Sequence, residues 1–525
     1  MSSSAKVFIA LGLFMLTPLG GCNTNPPTIL IVTSTPQGIA ALSPTLALAP
    51  TSADGTAPVL VISATPAVVA ANLSPQDHIV QVGESLSMIA IQYGISTDSL
   101  IALNQLANPD RIEVGQVIKL PSEPTNQIPL LNLMPDELIY RSPTSQTFDL
   151  NGFVNQTTGY LRQATDTVTT NLPNGAGFDE TLTSADVIQR IVTEYSVDPR
   201  VLLAMLEYRA RWISSPTVSI DAIAFPIVSP LQGGNFNRMG LYRQLSYVAN
   251  ELNRGYYSFK TRGLRQLEFS DGERVAIPAQ MNAGTVAILY FLSLNQTYSS
   301  WQAEISQQRF VNTYLALFGD PFILINTSTQ TQFVQPELQL PFAQGEVWLY
   351  TGGPHGGWGA GSSWASVDFA PPDNLPIGSA YCYTSQYAVR AVASGILARS
   401  ADGAVVLDLD GDADETTGWT ILYLHLTNTT SVGTTVQMGD VVGYASCAGG
   451  FSTATHLHIG RRYNGEWMPA DCLQCIAGFG VSTFTMSGWT VQGLVGQEYQ
   501  GYISRGSTQQ VAEQGRETTI NQVSW

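Results

Sequence analysis

Three textures follow one another along the hydrophobic pattern of the chain. From Asp77 to Ser122 an alternating run, His78 to Val82, gives way to apolar positions at helical spacing over Ser85 to Tyr93, with Gly94 as a stop. Thr97 can cap a second helix to Asn104, and Gln116 to Leu120 returns as a strand, so the order is βααβ. Between about Leu130 and Phe322 the period turns helical. SADVIQRIVTEYSVDPRVLLAMLEYRARW predicts one helix capped by Ser184, a Val-Asp-Pro turn, and a second helix opened by Pro199. GLYRQLSYVANELNRGYYSFKTRGLRQL predicts another, followed by an EFSDGERVAI hairpin on an Asp-Gly turn. From near Gln339 alternation takes over. EVWLY, YAVRAVASGILARS, GAVVLDLDG, GWTILYLHL and DVVGYAS, each bounded by Gly, Asp or Asn, predict an antiparallel sheet. Past Cys475 more β-structure is expected, ending from Arg505 in a polar, loose tail with no legible function. The expected fold class is multidomain α+β: a βααβ module (77–122), a helical middle domain (130–322), a mainly antiparallel β domain (339–476) and a C-terminal β extension (477–525).

Composition changes the picture at the N-terminus. Residues 1–21 hold one lysine, a short apolar core and then small residues, the pattern of a secretory signal rather than a membrane span. Leu19-Gly20-Gly21-Cys22 resembles a bacterial lipobox, which implies cleavage before Cys22, a lipid on its sulfur, and an extracytoplasmic protein anchored to the cell membrane. A plain signal peptide with a chance cysteine is the alternative. Residues 22–76 are rich in Pro, Thr, Ser and Ala and almost uncharged, a linker whose relaxed reach is roughly 40 Å. The net charge of -17 argues against a nucleic-acid partner and predicts an acidic exterior.

The candidate chemistry lies between Gly345 and Cys475, where four of the five histidines fall: His355, His425, His456 and His458, with Asp368 among them in WASVDFAPP. A hydrolytic zinc site needs three imidazole or carboxylate ligands and one position left open for water. His456 and His458, two apart in the β-prone THLHIG, point to one face of a strand. In WTILYLHL the alternation puts Leu422, Leu424 and Leu426 on one face and Ile421, Tyr423 and His425 on the other, which turns His425 toward a groove. His355 sits in a glycine-rich stretch that permits the tight turns of a ligand-bearing loop. A lone histidine is more often structural, but four of them with an aspartate favour a metal site.

These residues resemble the LytM and lysostaphin type of zinc endopeptidase, which cuts peptidoglycan cross-links. The resemblance is nearest to the β-lytic and staphylolysin branch, in which a Gly-Pro-His loop precedes the aspartate segment; Trp364 stands where the lysostaphin branch has its first histidine. It implies that His355, Asp368 and His458 hold Zn2+, with His456 as general base and His425 as oxyanion stabiliser, two roles that the sequence leaves exchangeable. Residues 77–122 resemble a LysM module, which binds N-acetylglucosamine-containing glycan. In that family the loops used are those where Gly83, Glu84, Ser85, Asn108, Pro109 and Asp110 fall. SVDPRVLLAMLEYRARW and MNAGTVAILYFLS resemble pieces of the lysozyme and lytic transglycosylase fold. The catalytic Glu-Ser pair falls on Arg209 and Ala210 there, so the middle domain reads as a degenerate member and Glu207 as a structural carboxylate.

Cys382, Cys447, Cys472 and Cys475 form an even set, so two disulfides are expected with three pairings open; metal binding or redox chemistry at CLQC is the lesser reading. The spaced Asp408, Asp410, Asp412 and Asp414 resemble a calcium loop without completing one, and a solvated acidic hairpin is the favoured reading. The function expected is a zinc metalloendopeptidase that hydrolyses peptidoglycan cross-links, carried to the wall by its LysM module. The alternatives are a catalytically silent wall-binding scaffold or amidase activator, and a bifunctional hydrolase whose middle domain also cleaves glycan.

Overall fold

The structure, a computed structural model, describes residues 77–525 except 82–83, 94, 96, 107, 110, 122–123, 125, 231–235, 324–331, 377 and 515–518. The signal, the linker, Cys22, Gly83 and Asp110 lie outside the described residues.

The first module forms as its pattern dictates: strand β1 (Asp77–Ile79), helices α1 (Leu86–Tyr93) and α2 (Thr97–Asn104), and strand β2 (Val117–Lys119) antiparallel to β1. Val80, Leu86, Ile89, Leu100 and Ile118 close its small core.

After a short helix (Leu150–Gln156), the helical region contains a hairpin absent from the reading of the sequence, β3 (Thr165–Asn171) paired along its whole length with β4 (Gly177–Thr183). Nearly every residue of β4 is exposed, so no apolar alternation announces it. Helices α3 (Ser184–Tyr195), α4 (Pro199–Ala210), α5 (Leu241–Thr261) and α6 (Ala283–Ser293) follow. The cap of α3 is Thr183, whose side chain accepts from the Asp186 amide, rather than Ser184, which is buried and donates to the Leu161 carbonyl. Asp198 caps α4 ahead of Pro199 as the turn signal requires.

The β domain is built on a nine-stranded antiparallel sheet. Its strands in chain order are β5 (Trp348–His355), β6 (Ser366–Ala370), β7 (Gly395–Ala401), β8 (Ala404–Asp408), β9 (Trp419–Leu424), β10 (Thr435–Val436), β11 (Leu457–Tyr463), β12 (Glu466–Trp467) and, after a separate antiparallel group containing β13 (Trp489–Leu494), β14 (Gln497–Arg505) and β15 (Thr508–Val511), the edge strand β16 (Gln522–Val523). Across the sheet the order is β10-β7-β8-β9-β11-β6-β5-β16, with β12 folded back on β11. The sheet therefore runs past Cys475 and recruits the last residues of the chain. Val523 is fully buried, which corrects the expectation of a loose tail.

Both faces of this sheet are covered. Val367, Phe369, Ile421, Tyr423, Leu457 and Ile459 turn into a core shared with Phe484, Trp489 and Ile503 of the C-terminal extension. Ala404, Val406, Leu422 and Leu424 turn the other way, into the same core as the helices of the middle domain. Fused apolar surface of this kind makes the helical and β regions one packed body rather than two modules on a tether. Cys382–Cys447 and Cys472–Cys475 form the two disulfides. The acidic hairpin spends its carboxylates on its own backbone: Asp408 accepts from the amides of Asp410, Gly411 and Ala413, and Asp414 from Thr416.

Candidate active site

Register fixes the site. Asp368 on β6 lies directly opposite His458 on β11, and His458 lies opposite Leu424 at the end of β9, while His355 ends β5 opposite Ser366. Directly paired residues on one face of a sheet bring their Cβ atoms to about 5 Å, so neighbouring strands deliver Asp368 and His458 to one point. Gly352 makes room for the carboxylate: a Cβ there would stand 2.4 Å from Asp368 Oδ2.

His425 arrives differently from its sequence expectation. Strict alternation would place it with Ile421 and Tyr423, and those two point into the buried core away from the cleft. Instead His425 adopts φ of +67°, which breaks the strand and swings its ring to the face of Leu424 and His458; Leu426 then falls in with Ile421 and Tyr423 rather than with Leu422 and Leu424. Left-handed backbone at a non-glycine costs on the order of 1 kcal/mol and is held here because the ring's Nδ1 donates to the Ala448 carbonyl at 3.0 Å.

A carbonyl can only accept, so the ring nitrogen that faces one must carry the proton. His355 Nδ1 faces Gly353 O at 2.7 Å, leaving the lone pair on Nε2; His458 Nε2 faces Gly357 O at 3.0 Å, leaving it on Nδ1. Those two lone pairs approach each other at 2.8 Å, and each stands 3.2 Å from Asp368 Oδ1. Three acceptors converging on one another without a donor call for a cation. Zn2+ fits: ligands at 2.0–2.1 Å in tetrahedral array stand roughly 3.3 Å apart, close to the separations here. All three residues are buried. Burial opposes charge on His355, yet the Asp368 carboxylate outweighs it and raises the imidazole pKa; burial likewise opposes the Asp368 anion, but His355 and His456 hold it well below the usual carboxylate range. Burial outweighs the same carboxylate at His458 and lowers its pKa, so the two imidazoles shift in opposite directions and the converging lone pairs, not the titrations, point to a cation.

His456 and His425 stand beside this triad. His456 Nδ1 donates to Ala454 O at 2.8 Å and its Nε2 lies 3.7 Å from Asp368 Oδ1; the rings of His425 and His456 are 4.6 Å apart. Burial, with His456 and His458 adding to it, pushes the His425 pKa well below its ordinary value, so this ring is neutral with its lone pair on Nε2. Tyr499 on β14 stacks on His355 at 4.2 Å between ring centres, and burial raises its phenol to about 12. It comes from the extension in which the sequence showed no function. Its only sequence signal is an aromatic in a polar strand. The whole arrangement opens into a cleft of about 1050 Å³ lined by His355, Trp358, Asp368, His425, His456, His458 and Tyr499 among others.

The expected glycan loops of the first module are partly committed elsewhere. Glu84 accepts from His78 Nε2 at 2.7 Å and from the Gln81 amide, so its carboxylate holds the module together. Ser85 Oγ bonds Ser87 Oγ and the Met88 amide, Asn108 is exposed and Pro109 half-buried. In the middle domain Glu207 accepts from the amides of Ile213 and Ser214, a helix-end partner rather than an acid in a cleft.

The LysM domain model matches residues 78–121, and the model of the LasA N-terminal domain matches residues 132–331, the region whose sequence pointed to a lysozyme-like fold. Protease LasA from two strains of Pseudomonas aeruginosa is similar to this chain. One is 27% identical over 294 residues, 52% of this chain and 65% of that protein, just under two thirds of its length. The other is 25% identical over 363 residues, 65% of this chain and 76% of that protein. Among solved structures, a novel M23 metalloprotease, pseudoalterin from deep-sea, is 23% identical, with a TM-score of 0.26 over 34% of this chain and 96% of its own. The chain is thus similar in sequence to protease LasA over half or more of its length and matches the LysM domain model ahead of that region.

Proposed function

We propose that the protein is a zinc-dependent endopeptidase that hydrolyses peptide cross-links of peptidoglycan, with the LysM domain placing it on the wall. The observation that carries the reading is the convergence of His355 Nε2, His458 Nδ1 and Asp368 Oδ1 within 3.2 Å of one another at the floor of an open cleft. These three residues would hold the metal, which when bound polarises a carbonyl and lowers the pKa of water to about 7.

The rest is done by the chain. His456 and His425 each present a bare Nε2 toward the site, so each is a proton acceptor in its resting form. His456, nearer Asp368, is the residue for the general base, taking a proton from the attacking water and returning it to the leaving amine. The Tyr499 hydroxyl, a phenol that keeps its proton at neutral pH without any shift, stands in the cleft as a donor for a developing oxyanion, while neutral His425 orients water beside His456. Tyr499 is thereby a second candidate, from the C-terminal extension, for the stabilising role expected at His425.

The lipobox reading places the enzyme outside the cytoplasm on a lipid at Cys22. Among the described residues no helix is long and apolar enough to cross a membrane. The test is a digest of purified peptidoglycan, with and without chelator. Chelator-sensitive release of new amino termini with intact glycan supports the proposal; new reducing glycan ends without new amino termini would assign the activity to the middle domain instead.

A further inference from the structure

Two of the four cleft histidines take their orientation from carbonyls on segments that the middle domain grips. On one rim, Gly357 O receives His458 Nε2, and the loop that carries it is held a few residues on by helix α5: the Gly361 amide donates to Asn250 Oδ1 at 2.9 Å and Arg262 donates to Gly361 O at 3.1 Å. The loop lies so close to the helix that a Cβ on Gly361 would stand 1.8 Å from Asn250 O. Behind Gly357 sits Trp467, itself bound by the middle domain through its indole N–H to Tyr195 O and its amide to the Tyr257 hydroxyl.

The opposite rim is held by the β3–β4 hairpin. Asn171 exchanges backbone hydrogen bonds with Gly449 at 2.9 and 3.3 Å, its side chain donates to Gly450 O at 3.1 Å, and Pro173 O accepts from the Cys447 amide at 3.1 Å. Between these contacts lies Ala448, whose carbonyl holds His425 in its left-handed pose. Gly357, Gly359, Ala360 and Gly450 all line the cleft, whereas no described residue of 130–322 does. The middle domain touches both walls of the site and obstructs neither.

We propose that in the full chain the middle domain brackets the catalytic unit, with Asn250 positioning His458 through the 356–361 loop and Asn171 positioning His425 through the 447–450 segment. This rests on the proposed peptidase reading. The two arms act on different groups, so they separate experimentally. Outer partners that aim a ligand or a catalytic imidazole are worth tenfold or more in metal affinity or activity.

The test uses the full chain, with zinc affinity measured by competition against a chromophoric chelator and kcat and KM measured on soluble cross-linked muropeptides. Asn250→Ala is expected to weaken zinc binding about tenfold, and Asn250→Asp, which keeps the acceptor for Gly361, to restore most of it. Asn171→Ala is expected to leave zinc affinity at the wild-type value and to lower kcat about tenfold with KM unchanged. Wild-type zinc affinity and kcat in both alanine variants would overturn the bracket. So would an equal loss of both readouts in each variant, which would show general destabilisation. A wild-type protein that holds no zinc and cuts nothing would instead remove the peptidase reading on which the bracket depends.

Discussion

Glu415 offers the sharpest quantitative test of how the two large regions are joined. Its carboxylate is buried among three guanidiniums: Arg462 Nη2 at 2.8 Å on β11, Arg399 Nε at 2.9 Å on β7, and Arg141 Nη1 at 3.6 Å from the middle domain. Burial alone would raise its pKa, but the arginines, Arg399 foremost, hold it at about 2 against an ordinary value of 4.5. At 1.36 kcal/mol per unit, a gap of about 2.5 units is worth about 3 kcal/mol of folding stability. The folded value lies below the unfolded one, so this stabilisation is complete above about pH 4.5 and drains away as the pH falls toward 2. In Glu415→Gln the arginines keep their burial and lose their counter-charge, at a cost of about 3–5 kcal/mol at pH 7. The assay is denaturant unfolding of wild type and variant between pH 7 and pH 2.5, followed by tryptophan fluorescence and circular dichroism so that coincidence of the transitions is checked. The difference between the two proteins should be largest at neutral pH and shrink through the acid range. A variant within about 1 kcal/mol of wild type at pH 7, or two curves that stay parallel into acid, would refute the reasoning.

Two further outcomes follow from the cleft. Tyr499→Phe should keep its stack on His355 and its zinc while lowering kcat about a hundredfold, read by steady-state kinetics with metal analysis; unchanged kcat would remove the tyrosine from oxyanion stabilisation. Gly352→Ala should force the Asp368 carboxylate away, because the added methyl meets Oδ2 at 2.4 Å, so the variant should fold yet retain little zinc; full zinc retention would show that the carboxylate is dispensable.

The donors of the site were legible because their chemistry is scarce. Four of five histidines in one stretch, with His456 and His458 two apart, leave few readings, and the register of β6 and β11 then brings Asp368 to His458. The βααβ module was legible for another reason: its helices and strands are short, local and bounded by their own turn residues, and each expected element forms. What escaped the sequence depends on non-local contact. His425 reaches the cleft only because one left-handed residue inverts the alternation, and a hydrophobic pattern carries no sign of backbone handedness. The β3–β4 hairpin is exposed on most positions, so it has no apolar face to advertise it. Tyr499 lies 41 positions after His458, on a strand whose approach to His355 is set by the docking of the C-terminal sheet on β5. At Glu84, where the LysM resemblance expects a glycan contact, the structure adds an internal bond to His78 that no local pattern announces.

The central claim is a zinc-dependent peptidase whose base is distinct from its ligands. The most direct measurement is metal content together with cleavage of purified peptidoglycan for wild type, His458→Ala and His456→Ala. Near-stoichiometric zinc in wild type, lost in His458→Ala, largely kept in His456→Ala, with cleavage abolished in both, is the predicted result. Zinc-free wild-type protein that binds the wall and cuts nothing would contradict the account and leave a wall-binding scaffold.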